Sequence, residues 1–155
     1  METKQETYVL IAGSRYAKWE MLNYARKVVQ RAHKMGYTVL VGDNPKGVDM
    51  AVIRECRRLE VKVIVAGVSS FPRNGGCKHG QYVKVHCDTY RGAKGHLLNR
   101  YTVRDRWMVD NATIGVFVWN GKSPGTKSGY EYMISRGKDA HLINFVVAQQ
   151  STESH

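Results

Sequence analysis

Short apolar runs alternate along this chain with segments of helical period, and no other feature constrains the fold as strongly. The runs lie at 8–12, 37–41, 61–66, 113–119 and 140–147 and are nearly continuous in Val, Ile, Leu and aromatic residues. Strands covered by helices on both faces of a parallel sheet have this composition, because neither face meets water. Within 17–35, apolar residues recur at Met21, Ala25, Val28, Ala32 and Met35. Gaps of three and four put them on one helical stripe, which Gly36 ends. After Gly47, Val48, Val52, Cys56 and Leu59 repeat the pattern with arginines facing outward. A further helix is expected over 100–111. In another, ending at Gly137, Tyr130, Met133 and Ile134 share a face. Strand–helix alternation predicts an α/β fold: a single three-layer domain over 1–148 with a mostly parallel sheet. The polar residues 149–155 are expected to form a flexible tail.

The pattern weakens at 67–99, where glycines, lysines and histidines replace the apolar periodicity, with a strand expected only at 81–86. A stretch this long without order inside a compact domain reads as a loop-rich insertion, either a lid, a binding loop or an excursion. It contains Cys77, His79, His86 and Cys87, whose spacing matches no standard zinc site, and adjacent His86 and Cys87 would point to opposite sides of a strand. No metal and no resident cofactor are expected.

The net charge of +11 fits either an electropositive cleft or a nucleic-acid partner. Its cations are dispersed, with Arg26, Lys27, Arg31 and Lys34 on one helix and Arg54, Arg57 and Arg58 on the next, rather than run together as a basic arm. No apolar run approaches a membrane span, and the start lacks a signal-peptide core, so a cytoplasmic protein without a membrane partner is expected. Three cysteines without a framework spacing read as reduced thiols.

Glycine-bearing turns stand where strands hand over to helices: Gly13-Ser14-Arg15, then 42–49 with Gly42, Asp43, Lys46, Gly47 and Asp49, then 121–126 with Gly125 and Thr126. In a parallel sheet these turns lie along the carboxyl edge, where ligands bind. Glycine allows close approach of the backbone, and the helix N-terminus beyond it offers N–H groups to a phosphate. Ser14 caps a helix or faces a ligand, and Arg15 is a fork-shaped phosphate partner. Asp49 and Asp43 accept from ribose hydroxyls, or Asp49 merely stabilises the first turn of its helix. Arg104 lies near the start of a helix whose dipole it opposes; either a phosphate or a carboxylate such as Asp105 or Asp110 compensates it. Lys122 precedes the glycine of the third turn, so the spacing is not that of a P-loop and no nucleoside triphosphatase is expected.

Taken together, Gly13-Ser14-Arg15, Pro45-Lys46-Gly47-Val48-Asp49, the helix with Arg104 and Met108, and Gly125-Thr126 resemble the SLOG superfamily, over about 8–145 without the 67–99 stretch. The resemblance implies a Rossmann-like sheet and a nucleotide-type ligand, and it alone suggests a homodimer. The superfamily includes LONELY GUY phosphoribohydrolases, which cleave nucleoside monophosphates, and DNA-processing protein A, which binds single-stranded DNA. The hydrolase motif places a glutamate three residues after its threonine. Here that position is Gly129, and Glu131 lies two residues on, roughly 200° further round a helix.

Three functions follow as expectations. The first is binding of a nucleotide or nucleotide-derived phosphorylated ligand, as a sensor, with Arg15 and Arg104 on phosphate and Gly13, Gly47, Gly125 and Thr126 lining the cleft. The second is an N-glycosidase on nucleoside monophosphates, with Glu131, Asp49 or Asp105 as its carboxylate. The third is a single-strand nucleic-acid binder that stacks bases on Trp19, Tyr82 and Tyr90.

Overall fold

The computed structural model describes residues 5–87 and 99–146. Element order is β1 (Tyr8–Gly13), α1 (Trp19–Met35), β2 (Thr38–Gly42), α2 (Gly47–Leu59), β3 (Val63–Gly67), β4 (Gln81–Lys84), α3 (Arg100–Asn111), β5 (Ile114–Trp119), α4 (Pro124–Ser135) and β6 (Asp139–Asn144). The six strands form one sheet in the order β4-β3-β2-β1-β5-β6, and every pairing is parallel. The expected mostly parallel sheet is thus wholly parallel among the described residues, and Tyr90 and the tail 149–155 lie outside them.

Alternation along each strand sorts its side chains between two cores. Val9, Ile11, Val39, Val41, Val63 and Val65 pack with α1 and α2 through Met21, Ala25, Val29, Val52 and Cys56. Leu10, Leu40, Ala66 and Phe117 pack with α3 and α4 through Met108, Val109 and Met133. Because both faces are covered, β2 is buried at every position, and its uniform apolar sequence follows. The α1 stripe runs through Val29 rather than Val28, and Met35 is 56% exposed. Gly36, at φ +74°, turns the chain away at that point, so the last apolar residue of the periodic series lies beyond the packed face.

The 67–99 stretch is less irregular than its sequence suggests. Residues 68–80 lead directly into β4, which extends the sheet beside β3. Arg57 fixes this connection, its Nε donating to the Gly76 carbonyl at 2.9 Å and its Nη2 to that of Asn74 at 2.9 Å. The Asn74 side chain donates to the Gly42 carbonyl at 3.4 Å. Backbone polar groups that lack a helix or ladder partner are satisfied here by side chains of α2 and of the connection itself.

Candidate functional site

From β1 the sheet grows through β2, β3 and β4 to one side and through β5 and β6 to the other. The switch therefore falls between β1 and β5, at whose carboxyl ends a crevice is expected. A cleft of about 720 Å³ lies there. That volume is within the range of small-ligand sites and suits a nucleotide-sized molecule. Leu10, Met108, Val109 and Phe117 form an apolar floor.

Gly13, Arg15, Asp49, Arg104, Gly125 and Thr126 line this cleft. Arg15 and Arg104 thus meet in one cavity. Ser14, Gly42, Asp43, Lys46, Gly47 and Glu131 are not among its lining residues. Ser14 is buried at 1% exposure, and its Oγ accepts from the Asn120 backbone N–H at 3.3 Å. It ties the first turn to the third instead of facing a ligand. Lys46 is exposed outside the cleft. Glu131 points to solvent, as its two-residue offset round the helix requires.

The glycines also divide. A Cβ on Gly42 would lie 2.6 Å from Asp49 Oδ2 and 3.0 Å from Arg104 Cζ. Gly47, at φ +68°, abuts the Ser14 carbonyl and the Arg15 backbone. These positions are glycine so that protein can pack on protein, which corrects the reading of every such turn as a ligand approach. Gly125 differs, since a Cβ there would meet nothing within 4 Å.

Part of the cleft wall is a dense ionic cluster. Asp43 is fully buried beneath it and accepts from Arg104 Nη1 at 2.8 Å, from Arg73 Nη2 at 3.0 Å and from the Arg73 backbone N–H at 3.1 Å. Burial works to raise its pKa, but the Arg73 hydrogen bonds and the charges of Arg73 and Arg104 reverse this and hold it below the ordinary carboxylate value. Arg104 also donates to Asp105 Oδ1 through Nε at 3.1 Å and Nη2 at 2.9 Å. Carboxylates therefore compensate the guanidinium of Arg104, the plainer of the two expected solutions. Tyr101 carries the Arg73 guanidinium 4.3 Å above its ring.

Asp49 faces the same cluster from the first turn of α2. Its Oδ2 accepts from the Asn44 backbone N–H at 3.2 Å and closes the β2–α2 loop. Burial pushes its pKa up to about 6 against the pull of Arg104. Burial also holds Asp105 above its ordinary value. Two arginines stand against three aspartates, so the charges balance when Asp49 is protonated and are in excess on the acidic side when it is not.

The cleft is also lined by basic and donor-rich groups. Arg15 and Lys122 are both exposed and, among the described residues, have no ion pair. The first turn of α4, which begins at Pro124, lines the cleft as well. N–H groups in a first turn have no acceptor within the helix. Asn120 organises the turn before α4. Its Oδ1 accepts from the Lys122 and Ser123 N–H groups at 2.9 Å each, and its Nδ2 donates to the Tyr16 carbonyl at 3.0 Å. Sequence reasoning passed over Asn120, although an asparagine directly before a glycine turn is the usual Asx-turn signal. It also missed Arg73 and Tyr101, one inside the aperiodic stretch and the other bordering it.

The cysteine–histidine set does not converge. Cys77 Sγ donates to the Ile53 carbonyl, His79 Nε2 lies 2.7 Å from the Val61 carbonyl, and Cys87 is buried in the α3–α4 core. Among the described residues, no group of His, Cys, Asp and Glu is placed to hold a metal ion. No described helix is long and apolar enough to cross a membrane.

These features define a Rossmann-like, parallel α/β protein with a ligand-sized cleft at its topological switch point. Its fold is shared with several solved structures. The molybdenum cofactor binding protein of the phototrophic bacterium Rippkaea orientalis superposes with a TM-score of 0.72 at 15% identity, over 98% of this chain and 85% of that one. The Moco carrier protein of Chlamydomonas reinhardtii gives 0.66 at 14%, over 97% and 84%. DNA processing protein A of Streptococcus pneumoniae gives 0.68 at 17%, over 93% of this chain and 52% of that one, so the present chain spans about half its length. At these identities the fold is what is shared. No protein-family model and no curated sequence matches the chain.

Proposed function

We propose that the cleft binds a phosphorylated small molecule of nucleotide size, held by its phosphate at the α4 N-terminus and by its hydroxyl or amino groups at the aspartates. The observation that carries this reading is that one cleft is lined both by unpaired donors and by carboxylates. Arg15, Lys122 and the first turn of α4 offer donors without acceptors, and the open space at Gly125 leaves room for an anion against the backbone. Asp49 and Asp105 present carboxylates to the same cleft, and Arg104 acts as their counter-charge rather than as the first phosphate ligand. A nucleoside monophosphate, anionic at one end and rich in donors at the other, matches both. The fold-sharing proteins that bind the molybdenum cofactor use the same architecture for a small ligand, which is consistent with this assignment.

Thermal-shift titration with a panel of nucleoside monophosphates and their free nucleosides tests it. Stabilisation is expected with phosphorylated members only. Arg15→Ala combined with Lys122→Ala should weaken it at least tenfold. Gly125→Leu, which adds a side chain into empty space, should abolish binding without lowering the melting temperature of the free protein. Equal stabilisation by nucleosides and nucleotides, or unchanged affinity in both variants, would reject the placement.

A further inference from the structure

The cleft accounts for little of the chain's excess positive charge. Arg73 and Arg104 are neutralised by Asp43 and Asp105, and Arg15 and Lys122 add only two further cations, so most of the +11 resides elsewhere. The outer face of α1 and α2 concentrates it. Lys27, Arg31 and Lys34 follow one another at i, i+4 and i+7 on α1, a row spanning about 10 Å. Arg54 and Arg58 repeat the i, i+4 spacing on α2. The two rows belong to one surface, because Gln30 Nε2 on α1 donates to Glu55 Oε2 on α2 at 2.7 Å.

Glu55 is the acidic group at the centre of this face. It is already engaged by Gln30 and by Arg58, whose Nε donates at 2.9 Å, and the charge of Arg26 acts on it as well. The remaining carboxylates, Glu20 and Glu60, sit at the helix ends. Lys27, Arg31, Lys34 and Arg54 are exposed and, among the described residues, have no ion pair. Between them the outward positions are polar. The exposed Trp19 and Met35 lie at the two ends of α1, so the face lacks the interleaved apolar wedge with which a helix enters a lipid interface. It also lacks aromatic residues between the cations on which single-stranded bases would stack.

We propose that the α1–α2 face is a second binding surface, separate from the cleft, that takes the phosphate backbone of duplex nucleic acid without reading sequence. Rows of cations on packed helices, four of them without an ion pair among the described residues, suit an evenly charged phosphate ladder. The absence of stacking groups between them fits backbone contact alone.

Fluorescence anisotropy of a labelled 20-base-pair DNA duplex, titrated with the full chain between 50 and 300 mM salt, tests the proposal. Four free cations predict a slope of log affinity against log salt of about −3.6. The quadruple variant Lys27→Ala, Arg31→Ala, Lys34→Ala and Arg54→Ala alters only exposed, unpaired side chains and should keep its melting temperature. It should lose at least tenfold in duplex affinity at 50 mM salt, and its slope should flatten. Arg15→Ala with Lys122→Ala should leave duplex affinity within twofold, and the quadruple variant should keep its nucleotide-induced stabilisation, so the two sites fail independently. The proposal is overturned if the quadruple variant binds duplex as tightly as the parent. Loss of duplex binding only in the cleft variant would do the same, as would binding of the parent to vesicles containing phosphatidylserine but not to the duplex.

Discussion

Arg104 reaches across 61 positions of sequence to place its Nη1 2.8 Å from Asp43 Oδ1, in a contact where Asp43 is fully buried and Arg104 nearly so. This pair joins the start of α3 to the carboxyl end of β2, and Arg73 closes the same carboxylate from the other side at 3.0 Å. A carboxylate this deep is tolerated only because both guanidinium groups are held against it.

Removing that carboxylate should therefore do more harm than removing any exposed acid. Asp43→Ala leaves two guanidinium groups facing one another without their shared counter-charge. A loss of about 3 kcal/mol is expected, as for other buried pairs broken from one side. In a chain of this size that corresponds to a fall in Tm of roughly 6–12 °C. Scanning calorimetry at pH 7 checks this, with Asp139→Ala, on a half-exposed strand edge, as the comparison that should change little. A fall of under 2 °C for Asp43→Ala would mean that the cluster relaxes into water.

Asp49 predicts a dependence on pH of the opposite sign from an ordinary paired acid. Its pKa lies at about 6 in the folded protein and near 3.8 otherwise. The folded state thus holds more protons between those values, and stability contributed at this site falls as pH rises through that window. The loss is complete above about pH 7 and is on the order of 2–3 kcal/mol. Asp49→Asn keeps an acceptor for the Asn44 N–H and does not titrate. Its Tm should match the parent near pH 4 and exceed it by several degrees at pH 8. An offset that stays constant from pH 4 to pH 8 would show that Asp49 does not carry the shifted proton. A carboxylate that lowers stability at neutral pH, inside a cleft, fits a contact kept for a ligand.

The sequence made the layers legible but not the ionic cluster. Nearly continuous apolar runs at 8–12 and 113–119 place β1 and β5, and the spacing of Met21, Ala25 and Ala32 places α1, although its stripe runs through Val29 and not the expected Val28, because burial on a periodic surface writes itself into local sequence. The turns were legible as turns. What each glycine does was not, since Gly42 is shaped by Asp49 and Arg104, the latter 62 positions away. Arg73 was invisible for the same reason: a side chain whose partner lies on another strand leaves no period. The helix dipole at the start of α3 calls for an acidic partner to Arg104, and only the fold supplies Asp43.

Lys138 should prove a stronger stabilising residue than its place in a surface turn suggests. Its Nζ donates to the carbonyls of Val109 at 2.8 Å, Asp110 at 2.7 Å and Ala112 at 2.9 Å. Val109 and Asp110 lie in the last turn of α3 and Ala112 is its C-cap; the Val109 carbonyl also accepts from the Ala112 N–H at 3.2 Å, and a cation there meets the negative end of the helix dipole. Lys138→Met retains the stem and removes the three donors. A loss of about 2 kcal/mol is expected, since charge-assisted bonds exceed neutral ones. Urea unfolding checks it, with Lys127→Met as a control on an exposed helix face. Equal midpoints for the two variants would show that water replaces the ammonium without loss.

Two glycines of the ligand edge should respond in opposite ways to the same small change. At Gly47 an added methyl meets the Ser14 carbonyl and the Arg15 backbone, neither of which can rotate away, and φ of +68° disfavours any side chain. Gly47→Ala should lower stability by about 2 kcal/mol or more, because it separates the first two turns of the edge. At Gly125 the added methyl meets nothing, and the position is in the first turn of a helix, where alanine is the better residue. Gly125→Ala should leave stability unchanged or raise it by up to about 1 kcal/mol. Chemical denaturation of both variants, followed by nucleotide titration of Gly125→Ala, separates packing from recognition. A glycine neutral to folding whose replacement weakens ligand binding is placed for the ligand. If Gly125→Ala instead destabilised the free protein as much as Gly47→Ala, the space above α4 would have to be filled by protein, and the anion site would have no room.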